Sequence, residues 1–242
     1  MAEAILQLKN ISKRFGGLQA IKDVSFDVHE GEIVGVIGPN GAGKSTIFNL
    51  ITGYYRIDTG SITYYGKEIV GLTPDAICKL GIARTFQIAR PFGGLTVFDN
   101  ILIGLLPKCK TINEARKGVL AILERINLEP KAFSFGKDLT TLERKRLELG
   151  RALATRPKIL LLDEVMTGLK PKEMDEIIEL IRELKKHMSI VVVEHVMRVI
   201  MKISDRVIVL DHGQKIAEGT PVEITNNPKV ISAYLGRGGN NA

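Results

Sequence analysis

A chain of 242 residues, 45% hydrophobic and 25% charged, can bury a substantial core but is too short for several independent domains, leaving one domain or one domain with a sizeable insertion. The apolar fraction excludes disorder, and the longest apolar runs fall far short of the ~18 residues that a membrane helix needs. The net charge of +7 asks for an anionic partner without saying whether that is a nucleotide, a nucleic acid or a lipid surface.

The N-terminus, Met1-Ala2-Glu3-Ala4-Ile5, has neither the basic start nor the long apolar core of a secretory signal, so a cytosolic chain is expected. Cys78 and Cys109 show no Cys-x-x-Cys spacing and are expected to be reduced thiols rather than a disulfide or a zinc site. Asn10-Ile11-Ser12 matches a glycosylation acceptor pattern, which has no consequence in a cytosolic chain.

In chain order, Val24, Phe26 and Val28 alternate with Ser25 and Asp27, the pattern of a half-solvated antiparallel strand. Next, Ile33-Val34-Gly35-Val36-Ile37 is continuously apolar, as in a parallel strand buried on both faces, so the predicted sheet is mixed. A helix is predicted over Thr46-Ile47-Phe48-Asn49-Leu50-Ile51. Between about 89 and 150 the β-branched runs vanish, and Ala115, Val119, Ile122, Leu123 and Ile126 recur at helix spacing. The buried-strand signature returns at Lys158-Ile159-Leu160-Leu161-Leu162 and at Ser189-Ile190-Val191-Val192-Val193, each after a helical stretch. Before the second, Pro171 suits a first helical turn, and Met174, Ile177, Ile178, Ile181 and Leu184 keep helix spacing. Residues 206–210 and 214–217 flank Asp211-His212-Gly213, which predicts a closing β-hairpin. No internal repeat is visible. The pattern is α/β alternation, with residues 1–88 and 151–242 forming the core and 89–150 a helical insertion.

Gly38-Pro39-Asn40-Gly41-Ala42-Gly43-Lys44-Ser45-Thr46 matches G-x-x-x-x-G-K-[ST] between a buried strand and a helix, the context of a phosphate-binding loop. Glycines let backbone N–H groups approach a polyphosphate, and the helix N-terminus adds partial positive charge. Lys44 would reach the β and γ phosphates, and the Ser45 hydroxyl would ligate Mg²⁺. The competing reading is a glycine-rich turn in which Ser45 caps the helix. Asp163 and Glu164 follow residues 159–162, at the strand end that opens on the ligand crevice of such a sheet. Asp163 suits the Mg²⁺ shell, and Glu164 suits orienting or deprotonating an attacking water. Because adjacent strand residues face opposite ways, either carboxylate could instead cap a helix. His195 follows the third buried strand and would contact the γ phosphate; alternatively it is structural, with Glu194 as its hydrogen-bond partner.

These residues resemble the ATP-binding-cassette (ABC) ATPases: "GPNGAGKST", "RTFQ" ending at Gln87, "LLLDE" ending at Glu164, "TGLKP" from Thr167 to Pro171 and "VVEHVM" around His195 occur in that family's order. Within the family the chain is similar to the ATP-binding subunit of the branched-chain amino-acid and amide uptake group, through "RTFQIARPFGGLTVFDNI", "RKRLELGRALATRPKILLLDEVMTGLKPKE" and the tail "AEGTPVEITNNPKVISAYLG". The resemblance implies an α/β core with a mixed sheet, an antiparallel β subdomain and an inserted α-helical subdomain. It implies ATP and Mg²⁺ as ligands, Phe15 stacking on adenine, and Gln87 touching both Mg²⁺ and the water. Without it, Phe15 would read as a core phenylalanine at a strand end. Lys170 stands where the family usually has Asp or Asn.

The larger departure is the family signature, usually Leu-Ser-Gly-Gly-Gln, in place of which this chain has Leu139-Thr140-Thr141-Leu142-Glu143. Thr140 keeps a hydroxyl, but Leu142 replaces a glycine that lets backbone approach the γ phosphate on a partner subunit. Residues 140–143 also read as a capping box, with Thr140 capping N–H groups and Glu143 reaching back. The family closes head to tail around two nucleotides, each site using one chain's phosphate loop and the other's signature. Leu142 would weaken one such site, so the expected dimer is asymmetric, with a different ATPase subunit as partner.

The resemblance further implies transmembrane permease subunits, an indirect solute-binding protein, and a peripheral position on the cytoplasmic face of the membrane. Phe92, Leu95, Val97, Phe98, Ile101, Leu102, Ile103, Leu105 and Leu106 would form the core of the insertion, or partly a groove for a cytoplasmic permease helix. The expected function is the ATPase of an importer, with a lipid or lipopolysaccharide exporter as the near alternative. A nucleic-acid-associated cassette ATPase would need zinc cysteines, a long heptad insertion or fused cassettes, so no nucleic-acid partner is expected. A small-molecule kinase has no use for His195 or the insertion.

Overall fold

Continuously apolar stretches form the centre of one sheet in the computed structural model, alternating stretches form a separate one, and the description covers residues 4–86 and 91–235. In chain order, β1 (Ala4–Phe15), β2 (Leu18–His29) and β3 (Ile33–Ile37) precede α1 (Lys44–Ile51). Then come β4 (Thr59–Tyr64), β5 (Lys67–Glu68), α2 (Pro74–Leu80) and β6 (Ile82–Arg84). Helices α3 (Val97–Leu105), α4 (Ile112–Arg125) and α5 (Thr141–Ala154) follow before β7 (Ile159–Asp163), α6 (Pro171–Lys185) and β8 (Ser189–Val193). The chain closes with α7 (Met197–Ile203), β9 (Arg206–Asp211), β10 (Gln214–Gly219), α8 (Pro221–Thr225) and α9 (Pro228–Leu235).

One sheet is antiparallel, in the order β2-β1-β4-β5; the other is six-stranded, in the order β10-β9-β3-β8-β7-β6. The second is parallel from β9 to β6 and is mixed because of the β9–β10 hairpin, while the alternating strand β2 lies in the other sheet. The hairpin turns at His212-Gly213, with φ of 44° and 74°, the paired positive values of a type I′ turn.

Period-two alternation divides the six-stranded sheet's side chains between two cores. Ile33, Ile37, Leu160, Leu162, Ile190, Val192, Val207 and Val209 face the helices α3–α7. Val34, Val36, Ile159, Leu161, Val191, Val193, Ile208 and Leu210 face α1 and the antiparallel sheet. A fully buried aliphatic side chain contributes roughly 1.5–3 kcal/mol, so runs apolar on both faces anchor both layers. At the opposite edge of these strands, Arg206 binds Glu32 at 2.8 Å and the Asp27 carbonyl at 2.8 Å, tying the two sheets together. The carboxyl ends of β3, β7 and β8 therefore lie side by side, each followed by a chemically loaded segment.

Candidate functional site

Helix α1 begins at Lys44 on Gly43, which has φ 101° and provides no side-chain cap. A Cβ there would lie 2.6 Å from Ile21 Cδ1 and 2.9 Å from the Ala20 carbonyl, so only glycine fits the turn. Ser45 is thus inside the first turn and does not cap the helix, which corrects the capped-turn alternative. At the loop's start, a Cβ on Gly38 would lie 2.1 Å from the Leu210 carbonyl, so the loop is wedged against β9. The hairpin turn holds it from the side, with the Gly213 N–H donating to the Ala42 carbonyl at 3.1 Å. Lys44 Nζ donates to the Gly38 and Pro39 carbonyls at 2.7 and 3.0 Å, placing its ammonium inside the loop's curve.

A cleft of about 630 Å³ is lined by Asn40, Gly41, Ala42, Gly43, Lys44, Ser45 and Thr46 together with Phe15, Glu164, His195 and His212. Phe15 is 38% exposed, which corrects its reading as a core residue. The Tyr55 ring packs edge-on against it at 4.9 Å, and Lys13 Nζ lies 5.4 Å from its centroid. The aromatic surface at one end of the cleft and the phosphate loop at the other suit a base and its phosphates.

Strand β7 ends at Asp163, and Glu164 turns out of it with φ 49°. The alternation argument for Glu164 fails because that residue has left the pleat. At the start of the next helix, α6, it is the Glu173 carboxylate that accepts, from the Lys170 main-chain N–H at 2.7 Å, so neither Asp163 nor Glu164 fills the capping role there. Asp163 is nearly buried and pairs with Arg84 at 2.6 Å, and its N–H donates to Thr85 Oγ1 at 3.1 Å. Arg84 also binds Asn49 Oδ1 at 2.5 Å. It lies in the "RTFQ" stretch but carried no sequence-level role, because nothing in one dimension places it opposite β7.

The Glu164 carboxylate accepts a hydrogen bond from His195 Nε2. That corrects the alternative pairing of the His195 ring with Glu194, whose carboxylate meets His195 only at its main chain. Glu194 Oε1 instead accepts from the Met166 N–H at 2.9 Å, and burial pushes its pKa up to about 7, with the Met166 hydrogen bond opposing and the Glu164 charge adding.

A second cleft, of about 890 Å³, runs from Ser45 and Asp163 to Phe92 and Ile103 on the helical side. The Asp163 Oδ1 atom is buried and has no hydrogen-bond partner among the described residues. An orphaned carboxylate oxygen and the Ser45 hydroxyl on one cleft wall form a hard-oxygen donor set that fits Mg²⁺. Of the middle apolar residues, Val97, Ile101 and Leu105 are core, whereas Phe92 and Ile103 are each 45% exposed. Gln87 lies outside the described residues.

Thr140, Thr141, Leu142 and Glu143 line neither cleft. They form the capping box: the Glu143 N–H donates to Thr140 Oγ1 at 3.3 Å, and the Thr140 N–H donates to Glu143 Oε2 at 2.8 Å. Partial burial acts against it, yet the Thr140 contacts and the Lys131 ammonium hold Glu143 below the ordinary glutamate value. Leu142 is half-buried against the helical core.

A family model described as "ABC transporter" matches residues 21–167, and one described as "Branched-chain amino acid ATP-binding cassette transporter" matches residues 214–240. A protein named "High-affinity branched-chain amino acid transport ATP-binding protein LivG" from Salmonella typhimurium is 42% identical over 253 residues, covering 98% of this chain and 99% of that protein. Among solved structures, a nucleotide-free ATP-binding cassette from an ABC transporter aligns with TM-score 0.88 at 33% identity, over 96% of this chain and 99% of that one. A dimeric cassette in a post-hydrolysis state, bound to ADP and phosphate, aligns with TM-score 0.80 at 29% identity, over 89% of this chain and 98% of that one.

Proposed function

The chain belongs to the ATP-binding subunits of ABC transporters, an ATPase family, and on that premise we propose that it powers an importer of branched-chain amino acids or amides. The observation that carries the hydrolytic reading is the Glu164–His195 pair on the same cleft as the phosphate loop. The solute class rests on the full-length similarity to a protein named for that transport.

In this reading Phe15 stacks on adenine, and the N–H groups of residues 38–46 with Lys44 hold the phosphates. Ser45, Asp163 and Gln87 would hold Mg²⁺, which when bound neutralises phosphate charge. Glu164 orients the attacking water and accepts its proton. His195 keeps that carboxylate aimed into the cleft and faces the γ-phosphate position, its ring 42% exposed on the cleft wall. Burial of Glu164, with an 8% exposed side chain, keeps bulk water from competing for the carboxylate.

Among the described residues no helix is long and apolar enough to cross a membrane. Residues 89–150 act as the arm that meets the permease at the cytoplasmic membrane face, with the Phe92–Ile103 end of the larger cleft taking a cytoplasmic permease helix. The working dimer is head to tail with a different ATPase subunit, because Leu142 and the self-capped Glu143 weaken the site that residues 139–143 face. Comparing ATPase rates of the assembled complex carrying Glu164→Gln here, or the equivalent change in the partner, tests this. A larger loss from the change in this chain is expected; a larger loss from the partner's change would sink the asymmetry. The transport reading fails if nucleic acid rather than permease subunits stimulates hydrolysis.

A further inference from the structure

Helix α5 carries two charged side chains that the core around it does not call for. Lys145 and Glu148 are 6% and 7% exposed and lie three residues apart, on one helix face. Burying a charge is costly unless a specific contact offsets it, so their targets matter. Lys145 Nζ donates to the Glu164 carbonyl at 3.3 Å. Glu148 Oε1 accepts from the Phe86 N–H at 2.5 Å. Phe86 follows directly on Arg84 and Thr85, the two residues that hold Asp163, one by its ion pair and the other by its hydroxyl.

We propose that Lys145 and Glu148 are positioning residues that fix the Asp163–Glu164 strand end, Lys145 directly and Glu148, on the wall of the larger cleft, through the β6 exit. Both contacts are made to main-chain atoms, so they set backbone position. The other Glu148 oxygen, Oε2, is buried with no hydrogen-bond partner among the described residues. The orphaned oxygen costs stability that an apolar side chain would not, as expected of a group kept for placement. Since residues 139–143 open the same helix, a shift of its N-terminus reaches the strand end through these two contacts. The inference rests on the roles given above to Asp163 and Glu164.

The test uses the assembled transporter complex, with this chain full-length, in Mg²⁺ and ATP. Glu148→Ala should lower kcat about ten-fold and raise the half-saturating Mg²⁺ concentration about five-fold, with the KM for ATP within about two-fold of wild type, since the phosphate loop is untouched. Glu148→Gln keeps the acceptor oxygen and should stay near wild type in all three. Lys145→Met should lower kcat in the same direction. If Glu148→Ala does not fold, Glu148→Met, of similar length, carries the same expectation. Wild-type kcat and Mg²⁺ dependence in Glu148→Ala would overturn the proposal, and so would a Glu148→Gln variant as impaired as the alanine one. Wild-type hydrolysis tests the functional reading separately. Amide exchange at Phe86, faster in Glu148→Ala and unchanged in Glu148→Gln, tests the clamp whatever the rate; unchanged exchange in the alanine variant refutes it.

Discussion

Helices α1 and α5 both open with residues that the family resemblance assigns to phosphate binding, yet their N-termini are built in opposite ways. Helix α1 starts on a left-handed glycine with no side-chain cap, and the ammonium of Lys44 sits inside its loop. Helix α5 starts on a completed capping box, with a carboxylate already on the Thr140 N–H. A helix N-terminus attracts an anion only while its N–H groups and field are available. One end of this molecule is open to a phosphate, and the other is already supplied with an anion of its own. The difference teaches that equivalent motif positions need not have equivalent chemistry, and it is the physical basis on which an asymmetric dimer is proposed.

The largest test of that contrast lies on the hydrolytic side. Glu164→Gln should reduce hydrolysis on the order of 100-fold or more while ATP binding is kept, read from kcat and from equilibrium binding side by side. Unchanged hydrolysis would remove Glu164 from the chemistry. Lys44→Ala should weaken ATP binding by roughly 100-fold, a loss of about 2.7 kcal/mol in a titration of the full chain. Retained affinity would break the claim that α1 is the anion-binding end.

Glu194, buried beside His195 in the chain, gives the contrast a pH dependence. Its pKa is raised by burial to about 7 in the folded chain, so the native state binds its proton more tightly than the unfolded chain does. Its contribution to stability is complete below the ordinary glutamate pKa and falls as pH rises through about 7. The span from 4.5 to about 7 corresponds to about 3 kcal/mol. Denaturant titrations at pH 5 and pH 8 should show that slope in the wild type and a flatter one in Glu194→Gln. An equal slope in both would place the raised acid elsewhere.

The smallest effect belongs to α5. Thr140→Ala removes one half of the capping box and should cost about 1 kcal/mol of stability, seen in denaturant unfolding. No loss would mean that the box does not hold this helix end.

The strands at the centre of the six-stranded sheet and the phosphate loop were legible because their signals are local. Ile33 to Ile37 is apolar at every position, and Gly38 to Thr46 follows it directly. The hairpin at Asp211-His212-Gly213 and the capping box at Thr140 are likewise short-range patterns. Pairings across the chain were not legible. Glu194 looked like the partner of His195 because it is adjacent, but the left-handed turn at Glu164 brings a residue 31 positions away into that place. Arg84 meets Asp163 across 79 positions, and Glu148 meets Phe86 across 62.

The sequence by itself determined the buried strands β3, β7 and β8, the helices α1 and α6, the β9–β10 hairpin and the order of the motifs that the family shares, because periodicity, turn chemistry and glycine requirements act within a few residues. Only the tertiary structure decided which carboxylate each basic group neutralises, which apolar residues line a cleft, and which helix N-terminus stays open. Those outcomes depend on burial, and burial is set by the strand order β3-β8-β7-β6 and by the helices packed over it. A charged side chain in such a core takes whichever partner the packing leaves within reach.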